Sequence, residues 1–157
     1  MAASIEDSFT VACEKFNVDN LQTFQENTVK SLLKGQDVYL SVKTGSGKSL
    51  CYQMFSTLWR LQNELENGNT CQVVIVSPLI SIMREQCEYL TNLGLEATYI
   101  GKDESEQSRI LAGDYEYVFT SPESLLGIPV WRDMLSNDRT KLLVVDEAHT
   151  VLHCMVR

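Results

Sequence analysis

Proline is scarce, at three residues in 157, and no Pro/Gly-rich or low-complexity tract interrupts the chain. With no linker to read, one compact domain is expected. Long apolar runs are missing as well. The longest, QVVIV at 72–76 and LLVVD at 142–146, fall far below the roughly 20 residues that span a bilayer, which excludes a membrane-spanning helix. The opening MAASIEDSFTVACEKF carries acids early and lacks a basic segment followed by an apolar one, so no export signal is expected and the compartment is read as intracellular. Five cysteines, at 13, 51, 71, 87 and 154, form an odd set without a C-x-x-C pair, and no His lies at zinc-finger spacing. That pattern disfavours both a disulfide framework and a zinc site, leaving buried reduced thiols. A basic excess is absent too: 13 basic against 21 acidic side chains give a formal charge of −8, which argues against a broad face for nonspecific nucleic-acid binding. Residues 1–60 hold six charges of each sign, so the acidic excess lies wholly beyond them.

What is present is an alternation of helical and strand patterns. Ile5, Phe9, Ala12, Cys13 and Phe16 recur at helical spacing, and Phe24, Thr28, Val29, Leu32 and Leu33 predict a second helix that stops at Gly35. Val38 to Val42 reads as a short strand running into KTGSGKS and then into a helix, LCYQMFSTLWRL. The same grammar repeats with QVVIV, the turn SPL and a helix around 82–93, then with EYVF, the turn TSP and a short helix at 123–126. KLLVVD is the last strand. Strands separated by helices imply right-handed crossovers and a mostly parallel α/β sheet with helices on both faces, preceded here by two helices. The runs at 72–76 and 142–145 are continuously apolar, as strands buried on both faces should be. Ligands of such sheets bind at the carboxyl ends of the strands, where each motif below falls.

Thr44, Gly45, Ser46, Gly47, Lys48 and Ser49 supply the last six positions of a phosphate-binding loop, set between an expected strand and helix. Glycines let backbone N–H groups face phosphate, the helix start contributes a positive dipole, Lys48 brings a mobile charge and Ser49 a hydroxyl ligand for Mg²⁺. Val42 replaces the first glycine of the general pattern. Asp146, Glu147, Ala148 and His149 follow an apolar strand, so Asp146 is a candidate for the Mg²⁺ shell and Glu147 for polarising an attacking water. His149 suits coupling the site to another element better than hydrolysis itself. An N-cap and a solvated first turn would use the same carboxylates.

GSGKSLCYQ, SPLISIMREQ, TSPESLL and VVDEAH, in this order, resemble the first motor domain of a RecQ-type DNA helicase of superfamily 2 from about Phe16 to His149. The resemblance implies a RecA-like P-loop NTPase lobe over 35–157, with residues 1–34 as N-terminal helices carrying an adenine-recognition segment. It also implies ATP and Mg²⁺ as cofactors, single-stranded and partly duplex DNA as partner, 3′-to-5′ movement, and a nuclear location in a nucleated cell. Lys48, Asp146, Glu147 and His149 would form the catalytic set, and Ser49 and Asp146 would hold the metal. Ser77, Pro78, Leu79, Thr120 and Ser121 would lie along the DNA strand, although plain helix-capping turns have the same composition. Gln25 would meet the adenine edge, or would be an ordinary helix-surface residue.

The departures are specific. Val18 and Gln22 stand where the family places an aromatic ring and an Arg, which weakens stacking and cation–π support for a base. After DEAH the chain reads TVLHCMVR, with His153 at the family's Gln position and Cys154 at its Trp. No second lobe follows, so the chain is expected to be a fragment or truncated product that hydrolyses ATP very slowly and does not unwind alone. Two other readings stand beside the helicase lobe. One is a degenerate nucleotide-binding interaction module without motor activity; the other, an RNA helicase lobe, is opposed by SPLISIM, where RNA helicases of this type carry PTRELA.

Overall fold

A computed structural model describes residues 3–43, 45–63 and 71–146. The chain divides into two compact units, Met1–Asn69 and Thr70–Arg157.

In the first unit α1 (Ile5–Lys15), α2 (Thr23–Leu33), α3 (Lys48–Gln53) and α4 (Phe55–Asn63) pack on one another. Ser4 caps α1 by accepting from the Asp7 N–H at 3.1 Å. Its Oγ also donates to Asp7 Oδ2 at 2.7 Å. The apolar faces bury Phe9, Ala12, Phe16, Val29, Met54, Phe55 and Leu58. Gln62 at the end of α4 donates to Ser8 Oγ at 2.7 Å and to the Ala3 carbonyl at 3.1 Å, which fixes α4 to the start of α1.

Two expectations are corrected in this unit. The single helix over LCYQMFSTLWRL is divided at Met54, a fully buried turn residue with ψ at −17°. The hydrogen bonds from Met54 N to Leu50 O and from Leu58 N to Met54 O still carry the path of the chain through the break. The strand expected at Val38–Val42 does not form: residues 36–43 are neither helix nor strand. An apolar run becomes a strand only when a neighbour takes its N–H and C=O groups. Here Tyr39 is 86% exposed and Val38 is also exposed, so the run is not packed as a sheet element would be.

The second unit is a four-stranded parallel sheet in the order β2-β3-β1-β4. Its elements are β1 (Gln72–Val76), α5 (Ile80–Asn92), β2 (Ala97–Tyr99), α6 (Gln107–Ala112), β3 (Tyr117–Thr120), α7 (Pro122–Gly127), α8 (Pro129–Met134) and β4 (Thr140–Val145). This is the parallel α/β architecture expected from the alternation. Central β1 and β3 are buried along their whole length. Val74, Val76, Ile110, Val118, Trp131 and Met134 belong to one core cluster of this unit. The continuous burial expected of 142–145 is not found: β4 alternates, with Leu143 and Val145 exposed. Among the described residues β4 is the terminal strand of the sheet.

One polar side chain lies deep in this apolar sheet. Gln72, 2% exposed, donates from Nε2 to the carbonyls of Ile110 at 3.1 Å and Tyr115 at 3.3 Å. Its Oε1 accepts from Thr140 Oγ1 at 3.5 Å. Both ends of the amide are therefore occupied, as burial requires.

Candidate functional site

The phosphate-loop residues lie in the first unit, on the irregular segment that leads into α3. Gly45 and Gly47 have φ of +83° and +85°, a left-handed conformation that a side chain would strain. Gly47 is the N-cap residue of α3, so Lys48 is the first helical residue and Ser49 the second, both half-buried. Ser46 closes the loop on itself, its N–H and Oγ both donating to the Lys43 carbonyl, at 3.1 Å and 2.5 Å. Around Gly45 nothing among the described residues lies within 4 Å of a would-be Cβ, its chain neighbours aside. The donor set of amides, one ammonium and a hydroxyl suits a polyanion such as a nucleotide's phosphates. Cys51 sits one turn along α3. Burial pushes its thiol up to about 11.

Gln25 is only 5% exposed, which rules out the helix-surface alternative. It occupies the third position of α2, and its Oε1 accepts from the Gln22 backbone N–H at 2.9 Å, one half of a capping box. Its Nε2 donates to the Gly47 carbonyl at 3.0 Å. Gln22 adds a longer contact, from Nε2 to the Ser46 carbonyl at 3.5 Å. The loop is thus tied to the start of α2 by two glutamines 22 and 24 residues away in sequence. Val18 instead lines a cavity of about 660 Å³ along α1 and α2, shared with Phe9, Cys13, Asn17, Glu26 and Lys30.

In the second unit the candidate residues gather at the carboxyl ends of the strands. Ser77, 2% exposed, follows β1 and donates its N–H to the Thr120 carbonyl at the end of β3, at 2.9 Å. Ser121 caps α7, accepting from the Ser124 N–H at 3.1 Å, with Pro122 at the first helical position. Pro78 is half-buried, whereas Leu79 and its neighbour Ile80 are more than half exposed. Asp146 follows β4 and is held by its N–H to the Val76 carbonyl at 2.9 Å. Structure therefore joins Ser77 to Thr120, and Gln25 to Gly47. Thr44, Glu147 and His149 lie outside the described residues, as do His153 and Cys154.

Nothing in the local sequence announces the contacts of Gln22 with Ser46 and of Gln25 with Gly47. Only the capping spacing of 22 and 25 signalled the local half of that arrangement. The Ser121–Pro122–Glu123 run did carry a readable cap signature.

A profile of DEAD/DEAH box helicases matches residues 22–155, from the first of the two glutamines through the DEAH tetrad. The chain belongs to the DEAD/DEAH box helicase family. Among the relatives that align with it are helicases of the RecQ type. The ATP-dependent DNA helicase RecQ of Haemophilus influenzae is 28% identical over 142 residues, covering 87% of this chain and 21% of the relative. The ATP-dependent helicase SGS1 of Saccharomyces cerevisiae is 31% identical, covering 88% and 10%. The ATP-dependent DNA helicase Q5 of Rattus norvegicus is 32% identical, covering 87% and 14%. This DEAD/DEAH-family chain thus spans about a fifth or less of the length of these relatives. Among solved structures the DUF1998 helicase MrfA superposes with a TM-score of 0.66 at 23% identity, covering 96% of this chain and 24% of MrfA. MrfA bound to DNA gives 0.70 at 21%, covering 96% and 22%. These likenesses establish the helicase-type RecA-like α/β fold for this family member.

Proposed function

We propose that this chain is the ATP-binding lobe of a 3′-to-5′ DNA helicase that couples Mg-ATP hydrolysis to movement along single-stranded DNA when joined to a second lobe. The observation that carries the reading is the glycine loop at 45–47, left-handed at both glycines, with Lys48 directly behind it. Lys48 brings positive charge to the phosphates, and the left-handed glycines leave backbone amides free to approach them. Ser49 and Asp146 are oxygen donors of the kind Mg²⁺ prefers. Bound Mg²⁺ supplies neutralisation of charge on the phosphate oxygens. Glu147 polarises the attacking water, and His149 links the site to other elements.

DNA runs along the strand ends of the second unit, where Ser77, Pro78, Leu79, Thr120 and Ser121 hold phosphates without reading bases. In support, MrfA has been solved bound to DNA, and the Ser77 and Thr120 main chains are fixed to each other. The division of labour places base-side residues in 1–34 and the motor lobe in 35–157.

Thermal unfolding with and without Mg-ATP tests the nucleotide half of this reading. Ligand at ~100 times its dissociation constant adds about 2.7 kcal/mol, which raises the midpoint by several degrees in a domain of this size. The wild type should shift and Lys48→Ala should not. Absence of a shift in both removes the nucleotide reading. A shift without DNA-stimulated turnover, measured with a compatible second lobe supplied, favours the interaction module without motor activity.

A further inference from the structure

We propose that the trench between α1 and α2 is a docking site for a basic amphipathic segment of a protein partner, whose lysine or arginine heads meet Glu6, Glu14 and Asp19 while its apolar side chains cover Phe9, Val18 and Leu21. The site stands apart from the nucleotide reading, since neither Gln22, Gln25 nor the glycine loop lines it. Its volume of about 660 Å³ lies within the range of roughly 300–1,000 Å³ usual for ligand pockets. On α1 the wall is built by Glu6, Phe9, Thr10, Cys13 and Glu14, a single face at spacings of three and four. Asn17, left-handed with φ at +54°, then turns the chain, and the turn adds Val18, Asp19 and Leu21 to the lining. Phe9 is buried, and Cys13, Val18 and Leu21 are half-buried. The trench therefore has an apolar floor beneath a charged rim.

The sign of that charge selects the partner. Four carboxylates line the trench against one ammonium, and that ammonium is engaged within it. Lys30 Nζ lies 2.7 Å from Glu26 Oε1 and 5.8 Å from the centre of the Phe9 ring. Among the described residues Glu6, Glu14 and Asp19 form no ion pair, and all three are exposed. A rim of this sign repels phosphates, which turns nucleic acid away and draws cations in. The Lys30–Phe9 pair shows that the aromatic face accepts an ammonium, a contact that a second cationic head can share. Glu6 and Glu14 stand on one face of α1, eight residues and so about 12 Å apart along its axis. Cations two turns apart on a helical segment match that span, with the apolar side chains between them facing the floor. A compact cation reaches one end only, and a bare polyamine has no side chains to fill the floor.

The experiment uses the full chain at physiological salt and reads fluorescence anisotropy of a labelled Lys/Leu amphipathic peptide of about 11 residues, three helical turns. A Glu/Leu peptide of the same pattern and spermidine are the comparison probes. The proteins are wild type, a variant with Glu6→Gln and Glu14→Gln, and a control with Glu85→Gln and Glu88→Gln, which removes the same charge from the exposed side of α5. Circular dichroism verifies the fold of each. Expected are binding of the Lys/Leu peptide but not of the Glu/Leu one, and a loss of about fivefold in the Glu6/Glu14 variant, the worth of two exposed ion pairs. The control should change by less than about twofold. Bound peptide should also shield the Cys13 thiol in the trench from iodoacetamide, read by mass spectrometry at alkaline pH because burial and then Glu26 raise that thiol's pKa. Absence of peptide binding, equal losses in the two double variants, an unshielded Cys13, or equal binding of the Glu/Leu peptide would each overturn the proposal. Displacement by spermidine at concentrations comparable to the peptide's would overturn it too and assign the trench to a free polyamine. No arm contains nucleotide, so each of these outcomes leaves the ATP reading as it stands.

Discussion

The two units hold their candidate residues by different means. In Thr70–Arg157 the residues that end the strands are fixed by main chain: Ser77 N to Thr120 O, Asp146 N to Val76 O and Ile100 N to Phe119 O, at 2.8–2.9 Å, extend the sheet ladder one step past its strands. In Met1–Asn69 the phosphate loop follows a segment with no strand of its own, and amide and hydroxyl side chains tie it down. Ladder bonds survive a change of side chain, because every non-proline residue brings the same N–H and C=O. Side-chain ties do not. The second unit should therefore tolerate substitution at its candidate positions so long as its core is intact, whereas the first should lose its site to single changes that leave the unit folded.

The largest effect should come from the support beneath the ladder. Phe119 in β3 is 1% exposed, and Phe119→Ala is expected to cost about 3–5 kcal/mol in urea unfolding, taking the Ser77–Thr120 geometry with it. A loss under about 1 kcal/mol would show that the ladder does not depend on its packing. An intermediate effect is expected at Gly47→Ala. The methyl meets Gln25 at 2.6 Å with φ at +85°, so a cost of about 1–2 kcal/mol and loss of the Mg-ATP thermal shift are expected. Retention of the full shift would mean that the loop is not set from α2.

The smallest effect should be at Ser77→Ala. Its Oγ is buried with no hydrogen-bond partner among the described residues. Removing it should change stability by less than about 0.5 kcal/mol, or raise it slightly, while the main-chain bond to Thr120 remains. A large loss in the same unfolding assay would show that the hydroxyl, and not the ladder, fixes that turn.

Most regular elements were legible in the residue pattern because their periodicity is strong. α1, α2, α5, β1, β3 and β4 fall where apolar spacing placed them, and the parallel sheet follows from their alternation. β2 is three residues long, too short to display a period, and α8 begins at Pro129 with no capping side chain to announce it. At 38–42 no strand forms, because a short apolar run reports only what a strand would contribute. Whether a neighbour exists to pair with it is a tertiary fact. The same limit applies to the site. The loop's composition was plain in TGSGKS, but the bond from Gln25 to Gly47 spans 22 residues and no local pattern encodes it.

Gln72 bears on how the sheet finds its alignment. β1 is apolar from Val73 to Val76 and buried on both faces, and its partner offers Leu142, Leu143, Val144 and Val145. Sliding one run past the other by two residues would keep each side chain on its face and exchange one aliphatic neighbour for another, so burial alone does not single out one alignment. The amide at the head of β1 breaks that degeneracy. With Gln72 opposite Thr140, beside the register shift before Val73, its acceptor reaches Thr140, while its donor is held by Ile110 and Tyr115, which lie outside β4. A slip of β4 would leave the buried Oε1 without that partner, a penalty of about 1–3 kcal/mol. A single polar residue thus acts as an error check on an otherwise featureless strand.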